Sequence, residues 1–211
     1  MARNKYPEET KAKILNAAYD LFVRQGYENT SIQNIIDETK LSKGAVYHHF
    51  ESKESILMEV FKNITRDITQ RSEDLVNSKE YNGLEKLQRL FLNVFDDEVQ
   101  MKMINSLPNL LDNPQILALY LKNTIMIITP RYIKPIVEEG VRDKTIKCDN
   151  PNELSEALAV LANVWMNPLI YKFSSEGINK RLSTLDVLLS GFGIKLNKYI
   201  ASCIIQSVDE M

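Results

Sequence analysis

Apolar residues return along this chain at intervals of three and four, and they never alternate with polar ones for longer than four positions. That period belongs to helices that bury one stripe. Ile14, Ala18, Leu21 and Phe22 set the first stripe and predict a helix over Pro7 to Gln25. Pro7, Glu8 and Glu9 suit its first turn, and Gly26 suits its stop. Thr30 then reads as the cap of a second helix, with Gln33 closing a capping box and Ile32, Ile35 and Ile36 facing inward. Ser42 caps a third, with Leu41, Ala45, Val46 and Phe50 inward, and Ser52 caps a fourth running from Lys53 to about Val76. Short helices are marginal alone, so capping this dense specifies geometry tightly.

Beyond Ser78 the elements lengthen. Leu84 to Val99 reads as a helix with Leu87, Leu90, Phe91, Val94 and Phe95 on its inner face, and Met101 to Leu111 as a short one interrupted by Pro108. Asn113 and Pro114 open a longer helix to about Gly140, which Pro130 and Pro135 are expected to bend or break. Asp143 to Asn150 is a polar connection. Asn150, Pro151 and Glu153 start the next helix, through about Phe173 with Pro168 inside it. Ser183 or Thr184 opens the last, with Leu185, Leu188, Leu189, Phe192, Leu196, Tyr199 and Ile200 on one side. The fold class that follows is all-α.

Composition narrows the classes. At 211 residues and 44% hydrophobic, the chain has room for a small module and a larger one, each with a real core. Net charge is −2, and residues 1–50 hold seven Lys/Arg against six Asp/Glu. A polyanion partner would therefore have to be met by the placement of charge rather than by its total. Cys148 and Cys203 are unclustered, which argues for a reducing compartment and against a disulfide framework or a zinc site. The N-terminus lacks the apolar core of a signal peptide, and the run Ile125 to Ile128 is far short of a membrane span. The expectation is a soluble, cytoplasmic protein with no membrane partner. The only histidines, His48 and His49, are neighbours whose side chains point about 100° apart on a helix, so no metal pair is expected. No cofactor is called for, and no nucleophile–base constellation suggests an enzyme.

The third helix carries the chemistry. Two short helices joined by a tight turn can place the second in the DNA major groove while neighbouring elements grip phosphate. Gly44 keeps its first turn slim, Lys43 can reach phosphate or a guanine edge, and Tyr47 and His48 present donors. Ala45 belongs to the same first turn. Ser42 and Lys53 sit at helix N-termini that favour phosphate, as do Thr30 and Ser31 at the second helix. The plain alternative for Lys43, Tyr47 and His48 is a solvated helix face. Arg3 and Lys5 could form an arm onto the DNA or simply be a loose terminus.

Residues 10–57 resemble the DNA-binding domain of TetR/AcrR-family transcriptional regulators. The resemblance rests on Gly26-Tyr27, Thr30-Ser31-Ile32, Ser42-Lys43-Gly44, Tyr47-His48 and Phe50-Glu51-Ser52-Lys53. It departs at Ile35-Ile36-Asp37-Glu38-Thr39-Lys40, where Lys40 takes the place of a turn glycine. If that position needs a positive φ, the lysine costs on the order of 1 kcal/mol. The resemblance implies a three-helix head over residues 1–52 and a helical domain over 53–211, about nine helices in all, which binds an inducer and dimerises through its last two helices. It further implies a homodimeric repressor on a near-palindromic double-stranded DNA operator, released when a small-molecule inducer tilts helix 4. A regulator governed by a protein partner or by its own abundance is the alternative.

For the inducer site, methionines, aromatics and asparagines at helical spacing are the candidates: Phe61, Phe91, Phe95, Met103, Tyr120, Asn123, Met126, Asn163, Trp165 and Met166. Such residues are as readily plain core. Adaptable methionines suit an apolar ligand. For the dimer, Ala157, Val160, Leu161 and Val164 form one stripe and Leu185, Leu188, Leu189, Phe192 and Leu196 another. Gly191 and Gly193 are expected to ease close helix approach.

Overall fold

The computed structural model of the 211-residue chain describes residues 7–95, 110–112, 114–167, 170–171 and 174–195. All regular elements among the described residues are helical. They fall into two compact units, one made of residues 7–66 and one of the described residues from Asp67 onward.

The first unit holds α1 (Pro7–Gln25), α2 (Ile32–Thr39), α3 (Lys43–His49) and α4 (Lys53–Ile64). Ile14, Ala18 and Phe22 from α1, Ile35 from α2, Val46 from α3 and Ile56 and Leu57 from α4 are completely buried. Removing that much apolar surface from water is what makes three short helices persist. The α1 bounds and the Gly26 stop agree with the sequence reading, since Gly26 takes φ 81° and donates its N–H to the Phe22 carbonyl. Two expectations are corrected. The cap of α2 is Ser31, not Thr30: the Ser31 hydroxyl accepts from Asn34 N–H at 3.1 Å, and the Asn34 side chain, not that of Gln33, closes the box. Thr30 is buried, its hydroxyl donating to the Gly26 carbonyl at 2.9 Å. The fourth helix also stops at Ile64 rather than near Val76. Thr65 donates both its N–H and its hydroxyl to the Phe61 carbonyl, and a hydroxyl competing for a helical acceptor bends or ends a helix.

The second unit holds α5 (Arg66–Asn77) from its second residue on, α6 (Gly83–Phe95), a 3₁₀ turn (Leu110–Asp112), α7 (Pro114–Asn123), a π-helix (Thr124–Ile133), α8 (Lys134–Arg142), α9 (Pro151–Val160), a π-turn (Leu161–Trp165) and α10 (Ser175–Ser190). Its core gathers Leu87, Ile136, Val137, Ile146, Leu154, Leu158, Ile178, Leu182, Leu185 and Leu189. The expected break at Pro130 does not occur. Proline lacks an N–H and clashes with the carbonyl four residues back in an α-helix. Here the chain widens to π pitch around it: the Thr129 hydroxyl donates to the Thr124 carbonyl, and Lys134 N–H bonds the Thr129 carbonyl as α geometry resumes. Pro135 then sits in the first turn of α8, where no donor is needed.

The start of α6 is fixed from far along the chain. Asn82 and Glu85 form a local capping box, while Gly83 N–H donates to Asp143 Oδ2 at 2.7 Å and Leu84 N–H to Thr145 Oγ1 at 3.2 Å. Backbones approach so closely here that an ideal Cβ on Gly83 would lie 2.1 Å from the Gly140 nitrogen. One turn on, the buried Lys86 ammonium meets Glu139 Oε2 at 2.6 Å and the Val76 carbonyl at 3.1 Å. A charge so deep is tolerated only with its partners in place.

The C-terminal expectations are partly corrected. Asn150 makes no side-chain cap, and the helix it precedes passes through the π-turn and ends at Met166. The last described helix opens at Ser174, whose hydroxyl accepts from Gly177 N–H. Ser183 and Thr184 lie inside it, donating their hydroxyls to the Asn179 and Lys180 carbonyls. Gly191 and Gly193 end that helix rather than sit within it, Gly193 with φ 75°. The expected helix around Pro108, together with Arg3, Lys5, Pro168, Phe173, Leu196, Tyr199, Ile200 and Cys203, lies outside the described residues.

Candidate nucleic-acid interface

Three residues, Lys40 to Ser42, join α2 to α3, and the turn is made by Lys40 in the left-handed region, φ 54° and ψ 28°. Leu41 follows, half-buried, and Ser42 starts the next helix with its hydroxyl accepting from Ala45 N–H at 3.2 Å. The inner side of α3 is pinned by Val46, with Phe50 just after it and Ala45 and His49 half-buried beside it. Its outer side presents Lys43, Gly44, Tyr47 and His48, all exposed. Ser31, Gln33 and Asn34 are exposed on the first turn of α2.

That outer side is not spent on the fold. An ideal Cβ on Gly44 would meet nothing within 4 Å, so the protein's own packing does not require a glycine there. Lys43 Nζ sits 5.7 Å from the Tyr47 ring centroid, near the limit of a cation–π contact. The His48 and His49 rings meet edge-on at 5.4 Å, and His49 turns back toward Phe50. No group of three or more His, Cys, Asp or Glu gathers among the described residues in a way that could hold a metal.

Two residues expected on this surface are placed elsewhere. Thr30 is buried under the end of α1. Lys53 is not a free cation at the start of α4, because its Nζ donates to the Tyr27 carbonyl at 2.9 Å and lies 4.0 Å above the Tyr27 ring. Burial first, then the Glu54 charge, hold the Tyr27 hydroxyl well above its ordinary pKa. Among the described residues no acceptor reaches that buried hydroxyl with good hydrogen-bond geometry, so Glu54 acts on it chiefly through charge. Glu54 is itself held below the usual carboxylate range, first by its own backbone N–H and against some burial. On the far side of α4 a hydrogen bond from Lys11 at 2.7 Å does the same for Glu59. Asn34 and Lys40 were not among the expected surface residues. The signal for Asn34 was its place three residues after Ser31.

In the second unit the expected ligand residues scatter. Tyr120 and Asn163 do meet. The Tyr120 hydroxyl donates to the Asn163 carbonyl at 3.0 Å and accepts from Asn167 Nδ2 at 2.9 Å, and burial pushes its pKa up to about 12. Met166 belongs to the apolar core, with Phe91 and Trp165 half-buried against it. The Arg181 guanidinium lies over the Trp165 ring at 5.0 Å and the Tyr171 ring at 4.7 Å. Asn123 and Met126 are exposed, Met126 by 64%, and so line no interior space. Phe61 is half-buried in the first unit; Met103 and the side chain of Phe95 lie outside the described residues.

The two expected dimer stripes are also divided. Leu185 and Leu189 are buried in the subunit's own core, whereas Val187 is 73% and Leu188 53% exposed on the other side of α10. On α9 and the π-turn, Ala157 and Val160 are exposed, and Leu161 and Val164 half-buried. Phe192 is half-buried against the core.

Residues 14–60 match the model of the bacterial regulatory proteins of the tetR family. The HTH-type transcriptional repressor KstR2 of Mycobacterium tuberculosis is 33% identical over 86 residues, 41% of this chain and 42% of that protein. An uncharacterised HTH-type regulator of Lactococcus lactis is 31% identical over 47% of this chain and 50% of its own length. The chain thus spans about half or less of those two relatives. The transposon Tn10 TetC protein of Escherichia coli is 28% identical over 75% of this chain and 77% of its own. Among solved structures, a TetR-family regulator from Pectobacterium atrosepticum superposes with TM-score 0.65 at 19% identity, covering 92% of this chain and 99% of that one. GusR of Salmonella enterica gives TM-score 0.61 at 18% identity over 99% and 98%. At such identities these two speak for the fold alone.

Proposed function

Because residues 14–60 match the model of the bacterial regulatory proteins of the tetR family, we propose that the chain is a DNA-binding transcriptional regulator of that family, acting as a homodimeric repressor that a small, apolar inducer releases from a near-palindromic operator. The observation that carries this reading is the division of α3. One side is locked by Val46, and the other exposes Lys43, Gly44, Tyr47 and His48, whose contacts with one another and with His49 stay within α3. A helix so held enters the major groove by its N-terminal turns, and a dimer spaces two of them about 34–36 Å apart. Residues 1–52 are the DNA reader in this proposal and 53–211 the sensing and dimerising part. Ser31, Ser42, Lys43, Gly44, Ala45, Tyr47 and His48 form the reading surface, and Thr30 and Lys53 brace it from behind.

The exposed Val160, Val187 and Leu188 support a subunit interface, which would bury apolar surface that a monomer leaves in water. Of the expected inducer-site residues, Tyr120 and Asn163 come together, with Asn167 bonded to the same hydroxyl, and this supports placing the inducer site there, since pockets fix a ligand with few polar groups. An inducer can weaken DNA binding only by its differential affinity for the two states.

The test is operator binding by selected duplexes. Lys43→Ala and Tyr47→Ala should each weaken it while sedimentation still reports the same oligomer. Unchanged affinity in both variants would remove the surface assigned here.

A further inference from the structure

Lys40 stands out on three counts. It is one of two non-glycine residues at positive φ among the described residues, the other being Lys144. It forms the turn two residues before the Ser42 cap, in the connection that leads into α3. It is exposed and, among the described residues, makes neither an ion pair nor a side-chain hydrogen bond, whereas Arg24 pairs with Glu38, Lys11 and Lys62 share Glu59, and Lys53 is tied to Tyr27. A left-handed turn favours glycine, which has no Cβ to crowd it. A lysine held there carries local strain, and no side-chain contact of its own among the described residues offsets it. The head is also nearly neutral, so each unpaired cation beside α3 weighs heavily in its affinity for a polyanion.

We propose that Lys40 is a phosphate-contacting residue, gripping the DNA backbone at the lip of the major groove that α3 enters. This rests on the DNA-binding reading given above. Exposed between the end of α2 and the Ser42 cap of α3, its ammonium replaces a condensed counterion on one phosphate. Such a contact sets register and affinity without reading bases.

The experiment measures binding of the full chain to a mixed-sequence duplex of about three helical turns (~30 bp) and to a selected operator, across a salt series. Lys40→Gly relieves the turn and removes the charge; Lys40→Gln removes only the charge; Lys40→Arg keeps it. Lys144→Gly relieves the second left-handed lysine as a control. Lys40→Gly and Lys40→Gln should lower the salt slope by about 0.9 per head and weaken binding roughly eightfold per head at ~0.1 M salt, equally on both duplexes. Lys40→Arg and Lys144→Gly should leave slope and affinity unchanged. Because it relaxes the backbone, Lys40→Gly should also melt about 2–4 °C higher while binding less, which a merely structural role would not produce. If the unmodified protein binds and its slope survives both charge removals, the Lys40 contact is wrong while the regulator reading stands. If the unmodified protein binds neither duplex, both fall.

Discussion

Lys53 is folded onto Tyr27, its ammonium 4.0 Å above the ring and 2.9 Å from the carbonyl of the same residue. The pair joins the first residue of α4 to the loop that follows α1, with Thr30 buried beside that loop. It fixes the direction from which the chain enters α2, and so the seating of α3. A cation that its place at a helix N-terminus marks as a phosphate ligand is thus a strut.

Replacing Lys53 by alanine removes a partly buried cation–π contact and a charged hydrogen bond, which together are worth about 1–2 kcal/mol. The expected outcome in urea unfolding is a loss of that size, with the salt slope of DNA binding nearly unchanged. A slope that falls by a full contact would return Lys53 to the DNA surface.

Gly83 and Gly140 should respond unequally to alanine. A Cβ on Gly83 would lie 2.1 Å from backbone nitrogen, which cannot yield without moving a helix, so about 3 kcal/mol or more is expected. A Cβ on Gly140 meets the buried Ile146 side chain, Cδ1 at 2.5 Å and Cγ1 at 2.7 Å, which can shift where backbone cannot, and should cost less, roughly 1–2 kcal/mol. Thermal melts of the two variants decide it, and equal losses would contradict the backbone crossing described.

Stability should fall in alkali through Tyr120, whose pKa burial raises from 10.0 to about 12. Below pH 10 both folded and unfolded states keep the proton. Between pH 10 and about 12 the unfolded chain releases it first and binds fewer protons, so unfolding becomes easier as pH rises. Above about pH 12 that contribution is fully lost. Tyr120→Phe should lose on the order of 1 kcal/mol at neutral pH from the broken Asn163 and Asn167 contacts. It should also show a shallower decline between pH 10 and 12 in unfolding titrations. A decline identical to the unmodified protein would place the titrating group elsewhere.

The head was legible because its information is local. The stripe Ile14, Ala18, Leu21, Phe22, the Gly26 stop and the Ser42 and Ser52 caps each act within a turn or two of chain, and all are found where their spacing puts them. Even there, the choice between Thr30 and Ser31 as cap of α2 needed burial, because both offer a hydroxyl and only tertiary packing hid one of them. Lys53 was likewise settled by a residue 26 positions away. In the second unit long-range terms dominate. Asp143 and Thr145 cap a helix some 60 residues earlier, Lys86 is buried against Glu139, and Pro130 is absorbed by a change of helical pitch rather than by a break. The last helix shows the same limit. Leu185, Leu188 and Leu189 read as one stripe, yet the core takes two of them and leaves Leu188 to solvent. Periodicity by itself determined that these segments are helices and that α3 has an unspent face. Which side each helix buries, and which cations stay free, depended on partners distant in sequence, and only the folded chain brings those together.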